Sequence, residues 1–264
     1  MNALLQELGR ALDPVQLCYA IGMNPDPWQE DVLGSDHPRI LLNCSRQSGK
    51  SSVAALLAVH TALYERNSTV LLLSRALRQA QELFKVCLAD YRALGRPVPA
   101  EAESALSLTL ENGSRIVSLP GKSGATVRGF AKVRLLVIDE ASQVEDELIT
   151  ALRPMLAVSG GRMIALSTPY GKRGWWWDAW ANGGSAWKRV QVTADECPRV
   201  GQHYPGGRDE YLLEERRALG ARGFRQEFFC EFNEQNDQVF GEEIVDRAFS
   251  REIKAHSGGI HRLK

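Results

Sequence analysis

Two stretches of the chain combine residue types that handle phosphate. Cys44-Ser45-Arg46-Gln47-Ser48-Gly49-Lys50-Ser51 follows an apolar run and opens an Ala/Leu-rich stretch with helical spacing. The pattern is G-x-x-x-x-G-K-[ST], with Cys44 standing where the first glycine would be. Gly49 would let the backbone approach a phosphate, and a helix starting at Lys50 would turn its positive end to the negative charge. The Lys50 ammonium would reach β- and γ-phosphates and the Ser51 hydroxyl a Mg²⁺ ion. Well downstream, Leu135-Leu136-Val137-Ile138 ends in Asp139-Glu140. A buried strand ending in two carboxylates delivers one for the Mg²⁺ shell, Asp139, and one to polarise an attacking water, Glu140. Alone, that second pattern is an ordinary strand end; its pairing with the loop gives it weight.

Two weaker signals accompany these. Ser167-Thr168-Pro169 ends a further apolar run, where hydroxyls would sense a γ-phosphate, although a Ser/Thr turn before proline has the same spacing. Pro25-Asp26-Pro27-Trp28-Gln29 precedes the first apolar run. A glutamine amide there would read an adenine edge and the Trp28 ring would lie against the base; otherwise both are core packing. A second Gly121-Lys122-Ser123 has no helical pattern after it and Ile116 in place of the first glycine, so it reads as a basic loop.

Positioning these groups requires strands that all end at one edge. Strand-like runs at 39–44, 69–74, 134–138 and 162–166 alternate with helix-like stretches at 50–64, 76–94 and 144–156. This alternation predicts an α/β fold with a mostly parallel central sheet and helices on both faces, its ligand site at the strands' C-terminal edge. Leu106–Leu110 and Arg115–Leu119, split by Asn112-Gly113, predict a hairpin. Past Pro169 the pattern predicts a short aromatic helix around Trp175, Trp176, Trp177 and Trp180, a strand over 187–192, a loop over 198–207 and a charged helix over 210–229.

Composition narrows the function classes. The 264 residues are 44% hydrophobic and 24% charged, enough for one sizeable core. Lys+Arg and Asp+Glu are equal at 32 each, so any polyanion site is a local patch rather than the field of the whole chain. Apolar runs are too short to span a bilayer, and Gln6, Glu7 and Arg10 stand where a signal peptide would be apolar, so no membrane is expected. The five cysteines show no CxxC or zinc spacing and are expected to be buried thiols.

Trp28-Gln29, Cys44 to Ser51, Leu135 to Glu140 and Ser167-Thr168-Pro169 together resemble the ATPase domain of tailed-bacteriophage large terminase subunits, the motors that package DNA into procapsids. The specific part is Ser-Arg-Gln within the loop. The likeness extends over about residues 20–235, with Arg128-Gly129-Phe130 before the acidic strand and the run from Gln226 to Phe232 that closes such domains. It implies a P-loop NTPase of ASCE type using ATP and Mg²⁺, with a Walker A loop and a Walker B strand. It places Trp28, Gln29, Ser45, Arg46, Gln47, Ser48, Gly49, Lys50, Ser51 and Ser52 on the nucleotide, Ser51 and Asp139 on the metal, Glu140 in catalysis and Ser167-Thr168-Pro169 in coupling. Arg128 would be an arginine finger reaching a neighbouring subunit and Arg46 a phosphate sensor acting within the chain, with the opposite assignment as the alternative. An arginine finger is worth about 10³–10⁵ in rate.

The implied organisation is a motor domain over 1–232, with 1–38 an adenine-side segment, and a linker or tail over 233–264. The family's nuclease domain is expected to be absent from this chain, because neither Asp237 nor Asp246 ends an apolar strand. Implied partners are double-stranded DNA held by its backbone, the portal and procapsid, the small terminase subunit, and further copies in a homo-oligomeric ring, with a monomer in isolation as the alternative. The implied location is the cytoplasm of the infected bacterial host. Basic candidates for DNA are Arg75, Arg78, Lys122, Lys132, Lys172 and Arg173, each read more readily as a solvated surface charge. Two other readings remain: a helicase-like nucleic-acid-dependent ATPase and a nucleotide-gated assembly module.

Overall fold

The computed structural model describes residues 2–120, 129–130 and 132–234. The chain forms two compact units, Met1–Asn233 and Glu234–Lys264. The sheet and its helices belong to the first; the expected linker or tail at 235–264 lies outside the described residues.

The strands are β1 (Arg39–Cys44), β2 (Thr69–Ser74), β3 (Ala100–Glu103), β4 (Ser107–Leu110), β5 (Arg115–Pro120), β6 (Val133–Asp139), β7 (Arg162–Ser167) and β8 (Lys188–Val192). They form one sheet of order β3-β4-β5-β2-β6-β7-β1-β8. From β5 to β8 every pairing is parallel, while β3–β4 and β4–β5 are antiparallel. The predicted mostly parallel sheet is therefore what the chain builds, and the hairpin supplies its antiparallel edge. Its turn, with Gly113 at φ 81°, docks on the end of the helix Lys50–Tyr64, where Asn112 Nδ2 donates to the Ala62 carbonyl at 2.9 Å.

Central strands are continuously apolar because both faces are covered. In β1, Ile40, Leu42 and Cys44 face one core while Leu41 faces the other. The first core is closed by α2 (Val15–Ala20), α3 (Pro27–Leu33), α4 (Lys50–Tyr64) and α5 (Leu77–Ala93); a further helix, α1 (Asn2–Leu12), precedes them. Helix α4 is apolar nearly all round, with Val53 to Val59 all buried, because it is wedged between the sheet and its neighbour helices. The second core is closed by α6 (Asp146–Ser159) and α7 (Gly174–Asn182), the latter inserting Trp176. A third, small cluster joins Ala194, Cys197 and Val200 to Phe224 and Phe228 of α8 (Gly207–Phe229). All five cysteines are free and buried.

Several element boundaries differ from the sequence expectation. The helix expected over 144–156 is α6, which starts two residues later, runs three further and is preceded by a separate 3-10 turn, Ala141–Gln143. Val144 is extended, and α6 begins where Asp146 and Glu147 complement its dipole. The charged helix starts at Gly207 and kinks at Gly220, where φ is 69°. Strand β3, Ala-Glu-Ala-Glu, carries no large apolar side chain because it lies largely exposed at the sheet edge.

Candidate active site

The phosphate loop runs from the end of β1 into α4. Gly49 is the N-cap of α4 at φ 87°, a conformation that L residues avoid. A Cβ there would lie 2.9 Å from Gln29 Nε2 and 3.3 Å from an Arg199 guanidinium nitrogen. Gly49 thus meets both requirements, backbone conformation and close approach. Lys50 Nζ lies over the loop, donating to the carbonyls of Ser45 (3.3 Å) and Cys44 (3.5 Å). The loop is anchored from β8 by the Ser45 amide donating to the Val192 carbonyl (2.8 Å). Ser51 and Ser52 occupy the first turn of α4.

At the end of β6, one strand from β1 across β7, stand Asp139 and Glu140. Asp139 follows Leu135 and Val137 on the face that α4 covers. Burial pushes its carboxyl up to about 6, reinforced by the charge of Glu140 and opposed by the Glu140 amide and Lys50. A buried oxygen ligand with that burden suits a hard cation, whose charge reverses it. Asp139 and the Ser51 hydroxyl, in the first turn of α4, are the oxygen donors that would be available to Mg²⁺. Glu140 is left-handed, at φ 50° and ψ 42°, and its amide donates to Asp139 Oδ1 at 2.9 Å. A non-glycine residue held there stores strain, a common feature of working sites.

The turn after Glu140 ties the acidic strand to the next one. Ser142 Oγ and Ser167 Oγ are 2.7 Å apart, and the Ser142 amide donates to Ser167 Oγ at 3.2 Å. Gln143 Oε1 in turn accepts from Arg75 at 2.8 Å. Ser167, at the end of β7, is fully buried, and Thr168-Pro169 leads from it toward α7.

Gln29 is 1% exposed on α3, its Oε1 accepting the Asp26 amide at 2.9 Å. Its Nε2 has no partner among the described residues, and neither does the buried Ser48 Oγ within the loop. Both atoms flank Gly49, so the site presents unsatisfied hydrogen-bonding groups to a ligand. Trp28 packs against the core on the α4 side. Arg46 is exposed; its Nε donates to Glu227 Oε2 at 2.6 Å and its amide to the Glu227 carbonyl at 3.2 Å. That carboxylate raises the guanidinium pKa further.

Arg128, Lys122 and the second Gly121-Lys122-Ser123 lie outside the described residues. Among the basic candidates, Arg75, Lys172 and Arg173 follow the C-terminal ends of β2 and β7, whereas Lys132 begins β6 at the opposite end of the sheet. Lys172 lies over the Trp177 ring and Arg173 over Tyr170. Sequence reasoning misses three participants: Arg199, Ser142 and Glu227. Glu227 lies within the run from Gln226 to Phe232; Arg199 sits in a Cys-Pro-Arg-Val-Gly loop that carries no pattern.

A glycine-gated loop between a parallel strand and a helix, with paired carboxylates one strand away, defines a P-loop nucleotide-binding domain. The family model described as phage terminase large subunit matches residues 37–215, and the chain belongs to that family. It is 24% identical to the terminase large subunit of Thermus virus P23-45, with 83% of this chain and 51% of that protein covered, so the chain spans about half the length of that curated relative. The large terminase ATPase domain of Thermus phage P74-26 has the same fold (TM-score 0.68, 21% identity, 82% of this chain and 97% of that one). So does the HK97 bacteriophage large terminase (TM-score 0.64, 16% identity, 80% and 51%). The large terminase of another thermophilic bacteriophage, solved in complex with ATP-gamma-S, is similar at TM-score 0.58 and 12% identity, over 82% and 52% of the two chains.

Proposed function

We propose that this chain is an ATP-hydrolysing motor domain that drives double-stranded viral DNA into a procapsid. The observation that carries this reading is the left-handed Gly49 at the head of α4, beside Gln29 Nε2, which has no partner among the described residues, with Asp139-Glu140 at the end of β6 beyond the intervening β7.

Gln29 and Trp28 take the adenine end, and the backbone from Ser45 to Ser52 cradles the phosphates. Lys50 leaves the loop carbonyls to neutralise the β- and γ-oxygens. Ser51 and Asp139 would hold Mg²⁺, which when bound would neutralise charge on the phosphates. Glu140 orients a water in line with the γ-phosphorus and accepts its proton as the bond to the β–γ bridging oxygen breaks. Its strained backbone fixes the carboxylate where the water must be.

Arg46 acts as the phosphate sensor. Its guanidinium is largely solvent-exposed, so it is free to swing from Glu227 toward a phosphate. Arg128 is the finger, given to a neighbour's site in a ring. Phosphate loss passes from Glu140 through Ser142 to Ser167, Thr168 and Pro169. DNA is gripped through its phosphates without base readout. The further partners are the portal and procapsid, the small terminase subunit and other copies of the chain, in the cytoplasm of the infected host.

The test is ATP hydrolysis with and without duplex DNA of unrelated sequences. The expected result is stimulation that is equal for all sequences and fades steeply with salt. Stimulation that depends on sequence and survives high salt refutes the motor reading.

A further inference from the structure

One strong ion pair beside the phosphate loop takes no part in the hydrolytic steps. Arg199 lies just after the short turn Ala194–Glu196 that follows β8, on the segment held by the small Ala194–Cys197–Val200–Phe224–Phe228 cluster. Its guanidinium grips the Asp26 carboxylate with both terminal nitrogens, Nη1 to Oδ1 at 3.1 Å and Nη2 to Oδ2. The same Nη2 donates to the Ser48 carbonyl at 2.7 Å. Asp26 is the N-cap of α3 and its amide donates to Gln29 Oε1 at 2.9 Å. Gln29 Nε2 then returns to the loop, 2.9 Å from where a Gly49 Cβ would stand. The contacts close a ring: Ser48, Arg199, Asp26, Gln29, Gly49.

With one lone pair of Gln29 Oε1 engaged by the Asp26 amide, the side-chain amide cannot flip; its second lone pair is left to accept from an adenine 6-amino group and Nε2 to donate to a ring nitrogen, a pairing that guanine's O6 does not match. A guanidinium fork matches a carboxylate in both distance and plane and stays charged at any working pH, so it fixes Asp26 in orientation as well as position. An exposed pair would do neither; here the Asp26 side chain is 15% exposed. The loop itself has other anchors, the Ser45 amide on the Val192 carbonyl and the Arg46 amide on the Glu227 carbonyl. Arg199 is thus not needed to shape the phosphate cradle; what it adds is the fixed distance between that cradle and the base-reading glutamine.

We propose that Arg199 is a positioning residue that sets base selectivity, clamping Asp26 and through it Gln29 against the phosphate loop so that a purine nucleoside triphosphate with an adenine edge is preferred. The proposal rests on the nucleotide-site reading above and deepens it. Base discrimination and phosphate affinity then separate when the clamp is cut. A residue that merely holds the fold together would not separate them.

The experiment measures equilibrium binding of ATP, GTP and inorganic tripolyphosphate, with Mg²⁺, to the wild-type chain, Arg199→Gln, Arg199→Lys, Asp26→Asn and the Arg199→Gln/Asp26→Asn double variant, alongside each melting temperature. Losing one charged hydrogen bond's worth of positioning, Arg199→Gln binds ATP about tenfold more weakly. Its affinities for GTP and tripolyphosphate stay within about twofold of wild type, because the loop keeps its backbone anchors on Val192 and Glu227. Arg199→Lys, which lacks the fork, does not restore selectivity. Asp26→Asn reproduces the loss without removing the arginine, and the double variant is no worse than either single one. Equal losses for all three ligands, or a lowered melting temperature with ATP selectivity intact, overturn the proposal. A wild-type chain that binds neither ATP nor tripolyphosphate overturns the underlying site reading instead, and the proposal with it.

Discussion

At the scale of single residues, the site depends on two backbone conformations that most side chains resist. Gly49 at φ 87° admits no Cβ without pushing on Gln29 and Arg199. Gly49→Ala is therefore expected to lower stability by about 1–3 kcal/mol and to weaken ATP binding, read by thermal denaturation and by titration. Glu140 is the opposite case: at φ 50° a functional side chain is held where glycine would be comfortable. Glu140→Gly should melt no lower than the wild type while losing hydrolysis, measured by calorimetry and phosphate release. A fall in melting temperature of several degrees would show that Glu140 is held for the fold rather than for the reaction. The first of these conformations was legible in the sequence, because Gly-Lys-Ser after a strand has one demanding geometry. The second was not, since nothing in Asp-Glu announces a left-handed backbone.

At the scale of elements, strands buried on both faces announce themselves by continuous apolar runs, and β1, β2, β6 and β7 were accordingly legible to within a residue or two. Strand β3 was invisible because an exposed edge needs only hydrogen bonds, not apolar side chains. Helix α5 carries an element-level effect of burial. Asp90 lies among Leu83, Cys87 and Tyr91 of the apolar face, and burial pushes its carboxyl up to about 6. Its unfolded value is about 3.9. The folded chain therefore binds this proton more tightly. The group's contribution is most favourable below pH 4 and is lost as pH rises through 4 to 6. Asp90→Asn should remove that slope and raise stability at pH 7 by about 1–2 kcal/mol, discounting for partial exposure. Denaturant titrations of both chains at pH 4.5 and 7 check it; equal differences at the two pH values would show the carboxyl to be unperturbed.

At the scale of the whole molecule, the sheet order places β7 between β1 and β6, so Ser167 at the end of β7 lies between the Gly49 loop and the end of β6 that carries Asp139 and Glu140. The α8 cluster meets the loop from its other side through Arg199 and Glu227. That convergence was only partly legible: residues distant in sequence meet through tertiary contacts that no local pattern encodes, as between Arg46 and Glu227 or Asp26 and Arg199. The motor assignment is tested most directly by steady-state ATP hydrolysis per chain, over a wide range of protein concentration with Mg²⁺, for the wild type and for Glu140→Gln. The wild-type rate is expected to exceed that of the variant by about 10²-fold or more, with ATP still bound by the variant. Specific activity should also rise with concentration as Arg128 is supplied by a neighbour. Equal rates for the two proteins at every concentration would contradict the assignment.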